Sequence, residues 1–480
     1  MRQSQSDYGG LVPAIGPRSL ATLLDGWRDG DGSAYRALAA RIRLLAVDGR
    51  IAAGSRLPAE RELALVLGVS RTTVTAAYAD LRASDHLRSV RGSGSVVELP
   101  PPATCGTTSA TLLDLTQAVL PCAPAVFPAA LRAAAELPDR GGSGYDLLGD
   151  DELRRLIAAR YTARGLPTRA HQVLVTLGAQ HAIGLLARAF VAPGDRVLVE
   201  SPGYPHALDA VRAVGGRPVT VPVRAATATD PGGWDAEALE AAFARARPTL
   251  GHLMPSFHNP TGAVMPEAQR RTVVDLARRY GTRLVVDETT AELAIDVPAP
   301  APFPDDVVHV GSVAKSLWGG LRIGWIRADP QTVRRLTGCR APWELGTPVL
   351  DQLTVARAMP DLDDVLADRR EQLRTGRDTL FGLLADDLPE WELPVVRGGF
   401  CAWINLGAEA SSALVTAARR RGLQLTAGPR FGVDGAFERF LRVPFGYAPG
   451  VLEAAVPVLV EAWAEARRTG PDLVVPADVI

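Results

Sequence analysis

The chain is poor in lysine, in cysteine and in long apolar runs. Lys315 is the one lysine in a sequence that has 52 lysines and arginines. The four cysteines lie far apart and form no CxxC pair, which argues against a disulfide framework and against a zinc site. We find no apolar run long enough to span a bilayer and no apolar signal segment in the N-terminal stretch "MRQSQSDYGGLVPAIGPRSL". We therefore expect a cytoplasmic protein that has no membrane segment.

The chain also lacks an overall excess of either charge. Its formal net charge is −1 over 480 residues, so binding of a nucleic acid would depend on a local basic patch. Hydrophobic residues make up 47% of the chain and charged residues 22%, which is typical of a globular protein. Because the length is too great for one ordinary domain, we expect two or three.

Composition and periodicity divide the chain into five segments. Residues 1–33 are rich in glycine and polar residues and are interpreted as an arm, and residues 99–112 form a linker rich in proline, threonine and serine. Between them, residues 34–98 have a compact helical pattern. Over residues 113–349, Val- and Leu-rich strand patterns alternate with amphipathic helical patterns, which predicts a mostly parallel sheet. Residues 350–480 predict a smaller α+β lobe.

The second of these segments carries a local excess of positive charge. Ten arginines and six acids give it a net charge of +4, against −5 for the rest of the chain. The stretch "PAERELALVL", residues 58–67, has the pattern of a helix with acids in its first turn, and Gly68 opens a tight turn after it. Ser70 then fits the N-cap of a second helix, "RTTVTAAYADLRA". Two helices joined by a short turn predict a helix-turn-helix.

The second helix would present a distinct polar set at its N-terminal end. Arg71, Thr72 and Thr73 stand there, where a recognition helix reads base edges in the major groove. The stretch "RSVRGSGSVV" predicts a β-hairpin wing in which Gly92 and Gly94 permit a close backbone approach. The alternative is a small protein-interaction domain whose arginines form a solvated face.

Together, "RLPAERELALVLGVSRTT" and "RGSGS" resemble the winged-helix domain of GntR-type regulators. The resemblance implies that double-stranded operator DNA is a partner. Thr75 occupies a position that is often arginine in that family, so this one contact stays open. The residues implied to contact DNA are Arg61, Arg71, Thr72, Thr73, Arg91, Gly92 and Gly94.

The neighbours of Lys315, in "SVAKSLWGGLRIG", bear on why arginine does not occupy this position. On composition alone, chance is a sufficient explanation for a single remaining lysine. Arginine keeps its proton in proteins, whereas a lysine amine can lose it and form the Schiff base used with pyridoxal 5′-phosphate (PLP). Ser312 and Arg322 flank the lysine and are suited to a phosphate. Asp287 ends the predicted strand "RLVVD", where a carboxylate would keep the pyridine nitrogen of PLP protonated.

Further residues complete a predicted PLP site. Ala179 and Gln180, in "GAQ", lie where a strand gives way to a helix whose N-terminus suits a phosphate. Tyr204 would stack on the ring, and Asn259 in "HNPTG" would donate to its 3-oxygen. Each has an ordinary alternative: an ion pair for Asp287, core packing for Tyr204 and a common turn for "HNPTG". Their combination with the lone lysine favours PLP.

From about residue 113 onward the chain resembles the fold-type I aminotransferases of classes I and II. The motifs that carry the resemblance are "GYDLLGD", "GAQ", "HNPTG", "SVAKSLWGGLRIG" and "LRVPFG". It implies a Schiff base at Lys315, a substrate carboxylate bound by Arg442, and a homodimer in which Tyr145 reaches the neighbouring subunit's phosphate. The implied cofactor-binding residues are Tyr145, Ala179, Gln180, Tyr204, Asn259, Asp287, Ser312, Lys315 and Arg322.

The sequence departs from the aminotransferase pattern at two places. Thr289 and Thr290 stand where a tyrosine usually donates to the 3-oxygen of PLP, which leaves full transaminase turnover open. No second arginine follows Tyr204 to recommend a particular acid as ligand.

The order of the two domains resembles the MocR subfamily of GntR regulators. The expected fold class is α/β multidomain: an N-terminal winged helix-turn-helix, a mostly parallel large domain of PLP-dependent transferase fold type I, and a smaller C-terminal lobe. The leading hypothesis is a PLP-dependent regulator that senses an amine or amino acid, or PLP itself, through the Schiff base at Lys315. The alternative is an active aminotransferase with an accessory DNA-binding domain. A DNA-binding protein with a degenerate, cofactor-free second domain is disfavoured, because the lysine and its companions are intact.

Overall fold

The structure is a computed structural model. It describes residues 14–24, 27, 33–47, 50–52, 54–84, 86–90, 94–98, 113–304, 306–433 and 436–469. Arg91 and Gly92, two of the predicted DNA contacts, lie outside the described residues.

The N-terminal part folds around its own apolar core. Leu38, Leu63 and Leu81 are fully buried in it, and each comes from a different helix. Its strands pair as an antiparallel hairpin, with Val90 opposite Gly94. The elements are α1 (Pro17–Leu23), α2 (Ala34–Val47), α3 (Glu60–Leu67), α4 (Arg71–Ala83), β1 (Leu87–Val90) and β2 (Gly94–Val97).

The turn between α3 and α4 is built as the sequence predicts. Gly68 ends α3 in the left-handed conformation, which glycine adopts without strain. The Ser70 hydroxyl caps α4 by accepting a hydrogen bond of 3.1 Å from the Thr73 amide. The start of α3 differs from the expected 58–67: the helix begins at Glu60, and the carbonyl of Pro58 accepts a hydrogen bond from the Tyr78 hydroxyl.

The large domain is a sheet of eight strands with helices on both faces. The strand order is β4-β11-β10-β9-β8-β5-β6-β7, and β5, β6, β8, β9 and β10 run parallel. The sheet strands are β4 (Val173–Thr176), β5 (Arg196–Ser201), β6 (Arg217–Arg224), β7 (Gly233–Trp234), β8 (Leu250–Leu253), β9 (Arg283–Asp287), β10 (Val308–Ser312) and β11 (Gly324–Arg327), and a short β3 (Leu113–Asp114) precedes them. The helices are α5 (Val126–Glu136), α6 (Asp151–Ala163), α7 (Gly178–Phe190), α8 (Pro205–Ala213), α9 (Ala236–Ala241), α10 (Glu267–Tyr280) and α11 (Pro330–Arg340).

The central strands are buried on both faces. Every residue of β8 and β10 is buried, as expected for Val- and Leu-rich strands of a parallel sheet, and the edge strand β4 is buried as well. One face packs against α7, α8 and α11, and the other against α9 and α10. The alternation of strand and helix patterns thus correctly predicted a mostly parallel sheet.

The C-terminal lobe joins long helices to a small antiparallel sheet of order β12-β15-β14. Its strands are β12 (Cys401–Asn405), β13 (Leu423–Gln424), β14 (Thr426–Ala427) and β15 (Phe440–Pro444), and its helices are α12 (Val349–Ala358), α13 (Leu362–Asp387), α14 (Ser411–Arg420) and α15 (Pro449–Thr469). Strand β13 pairs with β3, so the segment after Leu113 belongs structurally to this lobe as well as to the large domain. No helix in the described part of the chain is both long and apolar enough to cross a bilayer.

Candidate functional site

A cavity of about 500 Å³ lies at the carboxyl ends of the central parallel strands, between the large domain and the C-terminal lobe. Parallel sheets bind ligands at this edge because the loops that follow the strands converge there. The structure brings nine of the predicted residues together around the cavity. They are Ala179, Gln180, Tyr204, Asn259, Asp287, Ser312, Lys315, Arg322 and Arg442.

Lys315 lies in a π-helical turn, Ala314–Trp318, directly after β10. Its amine donates a hydrogen bond to the carbonyl of Ala118 and lies 4.8 Å from the ring centroid of Phe400. Burial lowers the pKa of Lys315 to about 8, and the positive charge of Arg442 acts in the same direction. A larger fraction of neutral, nucleophilic amine is therefore present at neutral pH than for an exposed lysine.

Asp287 is the last residue of β9 and is only 2% exposed. One carboxylate oxygen accepts a hydrogen bond of 2.9 Å from the Thr289 amide, and the other lies 3.9 Å from Nε2 of His252. Burial raises the pKa of Asp287, and the facing His252 opposes this rise. A cationic group in the cavity, such as a protonated pyridine nitrogen, would stabilise the ionised carboxylate.

The first turn of α7 and Arg322 form a cradle for an anion. Helix α7 has no side-chain cap, so its first amides, at Ala179 and Gln180, are free to bind an anion. A Cβ atom on Gly178 would lie 2.9 Å from a guanidinium nitrogen of Arg322, and one on Gly324 would lie 2.5 Å from the Gly178 carbonyl carbon. Glycine at both positions is what allows the guanidinium and the next strand to approach the helix start this closely.

Ser312 and Gln180 reach the cavity but already have partners in the chain. The Ser312 hydroxyl donates to the carbonyl of Ile323 at 2.9 Å and accepts from the Ala314 amide at 3.1 Å. The side-chain amide of Gln180 donates to the carbonyl of His206 at 3.1 Å. To donate to a phosphate, the Ser312 hydroxyl would have to give up its hydrogen bond to the Ile323 carbonyl.

Tyr204 and Asn259 lie on the loops that follow β5 and β8. Burial raises the pKa of Tyr204 to about 12, so its phenol remains a hydrogen-bond donor at neutral pH. The side-chain oxygen of Asn259 lies 3.6 Å from the sulfur of Cys401. Both side chains border the same space as Lys315, as the prediction of a ring site between them requires.

The two threonines that replace the usual tyrosine are not equivalent. Thr290 is fully buried, and its hydroxyl donates to the carbonyl of Ser256 at 2.6 Å. Thr289 borders the cavity. A hydroxyl donor toward a bound cofactor can therefore come from Thr289, because Thr290 is committed to the main chain.

Arg442 projects from the middle of β15 and is 7% exposed. Its guanidinium donates to the carbonyl of Thr116 and to the Thr426 hydroxyl, and its central carbon lies 5.0 Å from the Phe431 ring centroid. Its Nε has no hydrogen-bond partner among the described residues although it is buried. A buried guanidinium with an unused donor is suited to a carboxylate ligand.

The sequence prediction missed residues of the C-terminal lobe that border the cavity, above all Arg430 and Phe431. Arg430 pairs with Asp209 of α8, at 2.6 Å between Nη2 and Oδ2. No local motif marks these residues, because their place in the site depends on how the lobe folds against α8. Tyr145 is 73% exposed and does not border the cavity of its own chain.

The predicted DNA contacts that the structure describes are Arg61, Arg71, Thr72, Thr73 and Gly94 of the N-terminal domain. Arg61 and Arg71 border a surface cleft together with Arg56 and Gly94 of the hairpin. The hydroxyls of Thr72 and Thr73 lie 2.7 and 2.8 Å from the Ser70 hydroxyl at the start of α4. The Thr75 hydroxyl instead donates to Glu60 at 2.7 Å, so this residue is held by its own domain.

Two family models match the chain. Residues 111–459 match the aminotransferase class I and II family, and residues 34–97 match the gntR family of bacterial regulatory proteins. The fold is that of fold-type I aminotransferases preceded by a GntR-type helix-turn-helix domain. The two matched ranges correspond to the N-terminal helix-turn-helix segment and to the PLP-binding segment that the sequence motifs predict.

Similar proteins include both enzymes and regulators. A 2-aminoadipate transaminase from Thermus thermophilus is 29% identical over 68% of this chain and 86% of its own length. The uncharacterized HTH-type transcriptional regulator YisV from Bacillus subtilis is 24% identical over 88% of this chain and 93% of its own. Among solved structures, Thermus thermophilus LysN, an α-aminoadipate aminotransferase complexed with a phosphopyridoxyl-leucine, has a TM-score of 0.67 at 27% identity, covering 74% of this chain and 92% of that chain.

The family implies PLP as the cofactor, and the residues around the cavity fit it. Lys315 supplies the amine, Asp287 a buried carboxylate that His252 approaches to 3.9 Å, and Arg322 with the start of α7 an anion cradle. This donor set matches an aldehyde, a pyridine nitrogen and a phosphate. The chain belongs to the aminotransferase class I and II family and carries a gntR-family DNA-binding domain on the N-terminal side of it.

Proposed function

We propose that the chain is a PLP-dependent transcriptional regulator of the MocR type, which senses an amine or an amino acid through Schiff-base chemistry at Lys315. The observation that carries this proposal is the presence, in one chain, of a GntR-type domain and a cavity bordered by a lysine, a buried carboxylate and an anion cradle that fit PLP. A sensor needs only exchange at the lysine and no completed turnover, which suits a site that has threonine in place of the usual tyrosine.

PLP, when bound, supplies an aldehyde for amines and an electron-withdrawing ring. The chain's own residues bind and orient it. Lys315 would supply the amine, Asp287 would pair with the ring nitrogen, Asn259 would donate to the ring oxygen, and Tyr204 would stack on the ring. Ala179, Gln180, Ser312 and Arg322 would hold the phosphate. Arg442 binds the carboxylate of an amino-acid ligand through its unused donor.

The DNA interface is the start of α4 together with the hairpin. The cleft supports this assignment because Arg56, Arg61 and Arg71 border it together with Gly94 of the hairpin; Glu60 and Glu62 border it as well. Thr72 and Thr73 lie at the same end of the helix. The full proposed set is Arg61, Arg71, Thr72, Thr73, Arg91, Gly92 and Gly94.

A homodimer is part of the proposal. Phe127 and Leu131 project from α5 with 72% and 59% of their surface exposed, and Trp343 and Leu345 are also exposed. Large apolar side chains exposed in such numbers are typical of a surface that another chain covers. Tyr145 lies on the same domain, exposed and outside its own cavity, as expected of a residue that binds the phosphate in the neighbouring subunit.

The two domains touch, which gives ligand binding a physical connection to DNA binding. Helix α2 of the DNA-binding domain lies against α14 of the C-terminal lobe. At this contact, Nη1 of Arg41 lies 3.9 Å from Oε1 of Glu438, whose carboxylate also accepts a hydrogen bond from the Ser412 amide at the start of α14. A ligand that binds one arrangement of the lobe more tightly would shift the position of the DNA-binding domain.

The test is to measure DNA affinity of the full chain at a stated salt concentration, with PLP alone and with PLP plus a panel of amines and amino acids. We expect at least one addition to change the affinity, and Lys315→Ala to abolish both the visible absorbance of the Schiff base and the ligand response. An unchanged DNA affinity under all conditions would refute the regulator. A response to PLP alone would identify PLP itself as the signal.

The second candidate function is an active aminotransferase with an accessory DNA-binding domain. It is favoured by the intact Lys315, by the unused donor of Arg442 and by the similarity to transaminases. Steady-state turnover of an amino donor with a 2-oxo acid would support it. Complete exchange at Lys315 without turnover would leave the regulator as the better description.

A further inference from the structure

One cation that borders the cavity has no role in the function proposed above. Four cationic side chains, Lys315, Arg322, Arg430 and Arg442, border it, whereas Asp287 is the one carboxylate among its described lining residues. Three of these cations have a role in the proposed function: Lys315 is the amine, Arg322 binds the phosphate and Arg442 binds the α-carboxylate. Arg430 is left, and the sequence offers no family motif that includes it.

The main chain fixes the position of Arg430 from both sides. Arg430 lies in a short 3₁₀ turn that begins at Gly428 and ends at Phe431. The Gly428 amide donates to the Ser411 hydroxyl at 3.0 Å, and the Phe431 carbonyl accepts from the Gly203 amide at 2.8 Å. The second bond joins this turn to the loop that carries the ring-binding tyrosine. These two bonds hold the main chain of Arg430 in place where its side chain borders the cavity.

Asp209 neutralises Arg430 without using all of its donors. Two guanidinium nitrogens contact the two carboxylate oxygens, at 2.6 and 3.4 Å, and His206 lies 3.6 Å from the same carboxylate. The guanidinium has five N–H groups, and its Nε has no hydrogen-bond partner among the described residues. The side chains are 26% and 44% exposed, so water screens their attraction. A second anion can thus bind Arg430 beside Asp209 or in exchange for it.

We propose that Arg430 is a specificity-determining residue, which binds a second anionic group at the far end of the ligand. The ligand class is then α-amino acids with a carboxylate side chain: Arg442 binds the α-carboxylate and Arg430 the distal one. This inference rests on the proposed function of the cavity as an amino-acid site. It supplies the second arginine that is missing after Tyr204 in the sequence.

The competing explanation is that Arg430 and Asp209 only join the C-terminal lobe to α8. Loss of such a bridge would lower the binding affinity of every ligand to the same degree, because the bridge stabilises the arrangement of the two lobes and does not contact the ligand. Loss of an anion subsite would weaken only ligands that carry the distal charge. The two explanations therefore differ in the ratio of two affinities.

The experiment titrates the PLP-loaded full chain with L-2-aminoadipate and with L-norleucine and follows the visible absorbance. These amino acids share a carbon chain and differ in a distal carboxylate against a methyl group. We expect the wild-type protein to bind the diacid about tenfold more tightly or better, as a charge-assisted hydrogen bond provides. Arg430→Gln should abolish this preference and change the affinity for L-norleucine by less than about twofold.

Arg439→Gln is the matched control. Arg439 is an exposed arginine of the same lobe that donates to the carbonyl of Gly407, and it does not border the cavity. Its variant should keep the wild-type preference. A wild-type protein without preference, an Arg430→Gln protein that keeps it, or equal weakening of both ligands would each overturn the proposal.

The same titrations separate this inference from the regulator. A preference that Arg430→Gln removes supports the anion subsite, and if PLP and the full panel of amines then leave the DNA affinity unchanged, the regulator is refuted while the subsite stands. A ligand-dependent DNA affinity with no preference for the diacid refutes the subsite and supports the regulator. If neither amino acid changes the absorbance, the anion subsite is refuted, because its ligand class does not bind.

Discussion

The two ends of the cavity are built in different ways. At the cofactor end, Asp287 and Lys315 follow adjacent buried strands, and Arg322 packs against the first turn of α7. At the ligand end, Asp209 and Arg430 come from different lobes and are partly exposed. The sheet therefore fixes the positions of the residues at the cofactor end, whereas the ligand end depends on how the two lobes pack against each other.

This difference sets how strongly each end should respond to substitution. A buried group with close neighbours cannot be replaced without leaving a cavity, a clash or an unpaired charge. A half-exposed pair is screened by water, and its loss is partly compensated by solvation. We therefore expect changes at the cofactor end to abolish binding and changes at the ligand end to alter selectivity.

The largest effect is expected from Lys315→Arg. The variant keeps a positive charge at the position, but a guanidinium stays protonated and cannot form a Schiff base. We expect complete loss of the Schiff-base absorbance after addition of PLP, measured by visible spectroscopy. Bound PLP that still shows the wild-type spectrum in this variant would mean that another amine carries the cofactor.

Gly324→Ala should weaken PLP binding by about a hundredfold. The new Cβ would lie 2.5 Å from the carbonyl carbon of Gly178 and 2.7 Å from the amide of Ala179, so the start of α7 must move. The measurement is the dissociation constant for PLP by absorbance titration. Gly319→Ala is the control, because the nearest atom to its Cβ would be 3.8 Å away. Equal affinities for the two variants would contradict a rigid phosphate cradle.

The sequence singled out the residues of the cofactor end but not Arg430 or Asp209, and the reason is physical. Lys315 and Asp287 each end or follow a strand with a clear hydrophobic pattern, and the parallel sheet brings such positions together. Arg430 has no pattern of its own, since its place depends on the Gly428 turn and on contacts between lobes. The separate roles of Thr289 and Thr290 were equally hidden, because only the packing shows that the Thr290 hydroxyl is bound to Ser256.

Arg442→Gln lies between the two ends in its expected effect. Arg442 is buried, as Asp287 is, and it borders the cavity where the proposed ligand would bind. We expect about thirtyfold weaker binding of an amino acid, as loss of a charge-assisted pair to the α-carboxylate requires. A simple amine without a carboxylate is the internal control and should bind the variant as it binds the wild type. Equal losses for the two ligands would show that Arg442 supports the fold of the site and not the carboxylate.

The rate at which the apo-protein takes up PLP should rise about tenfold between pH 7 and pH 9. The reactive form of Lys315 is the neutral amine, and burial lowers its pKa to about 8. At pH 7 about a tenth of the amine is neutral, and at pH 9 about nine tenths is. Stopped-flow absorbance measures the rate. A profile that rises instead around the ordinary lysine pKa of 10.5 would show that the amine is solvated before PLP binds.

The smallest effect, and the sharpest contrast with the cofactor end, is expected from Asp209→Asn. Burial alone would raise the pKa of Asp209, but hydrogen bonds from His206 and Arg430 lower it well below its usual range, so the carboxylate is charged at neutral pH. Removal of this charge frees the guanidinium of Arg430 for a ligand. It also removes a half-exposed ion pair, which lowers the free energy of unfolding by at most about 1 kcal/mol. We expect PLP affinity to stay within about twofold and affinity for L-2-aminoadipate to rise about threefold, both by absorbance titration. A large loss of PLP in this variant would show that the ligand end is as rigidly coupled to the sheet as the cofactor end.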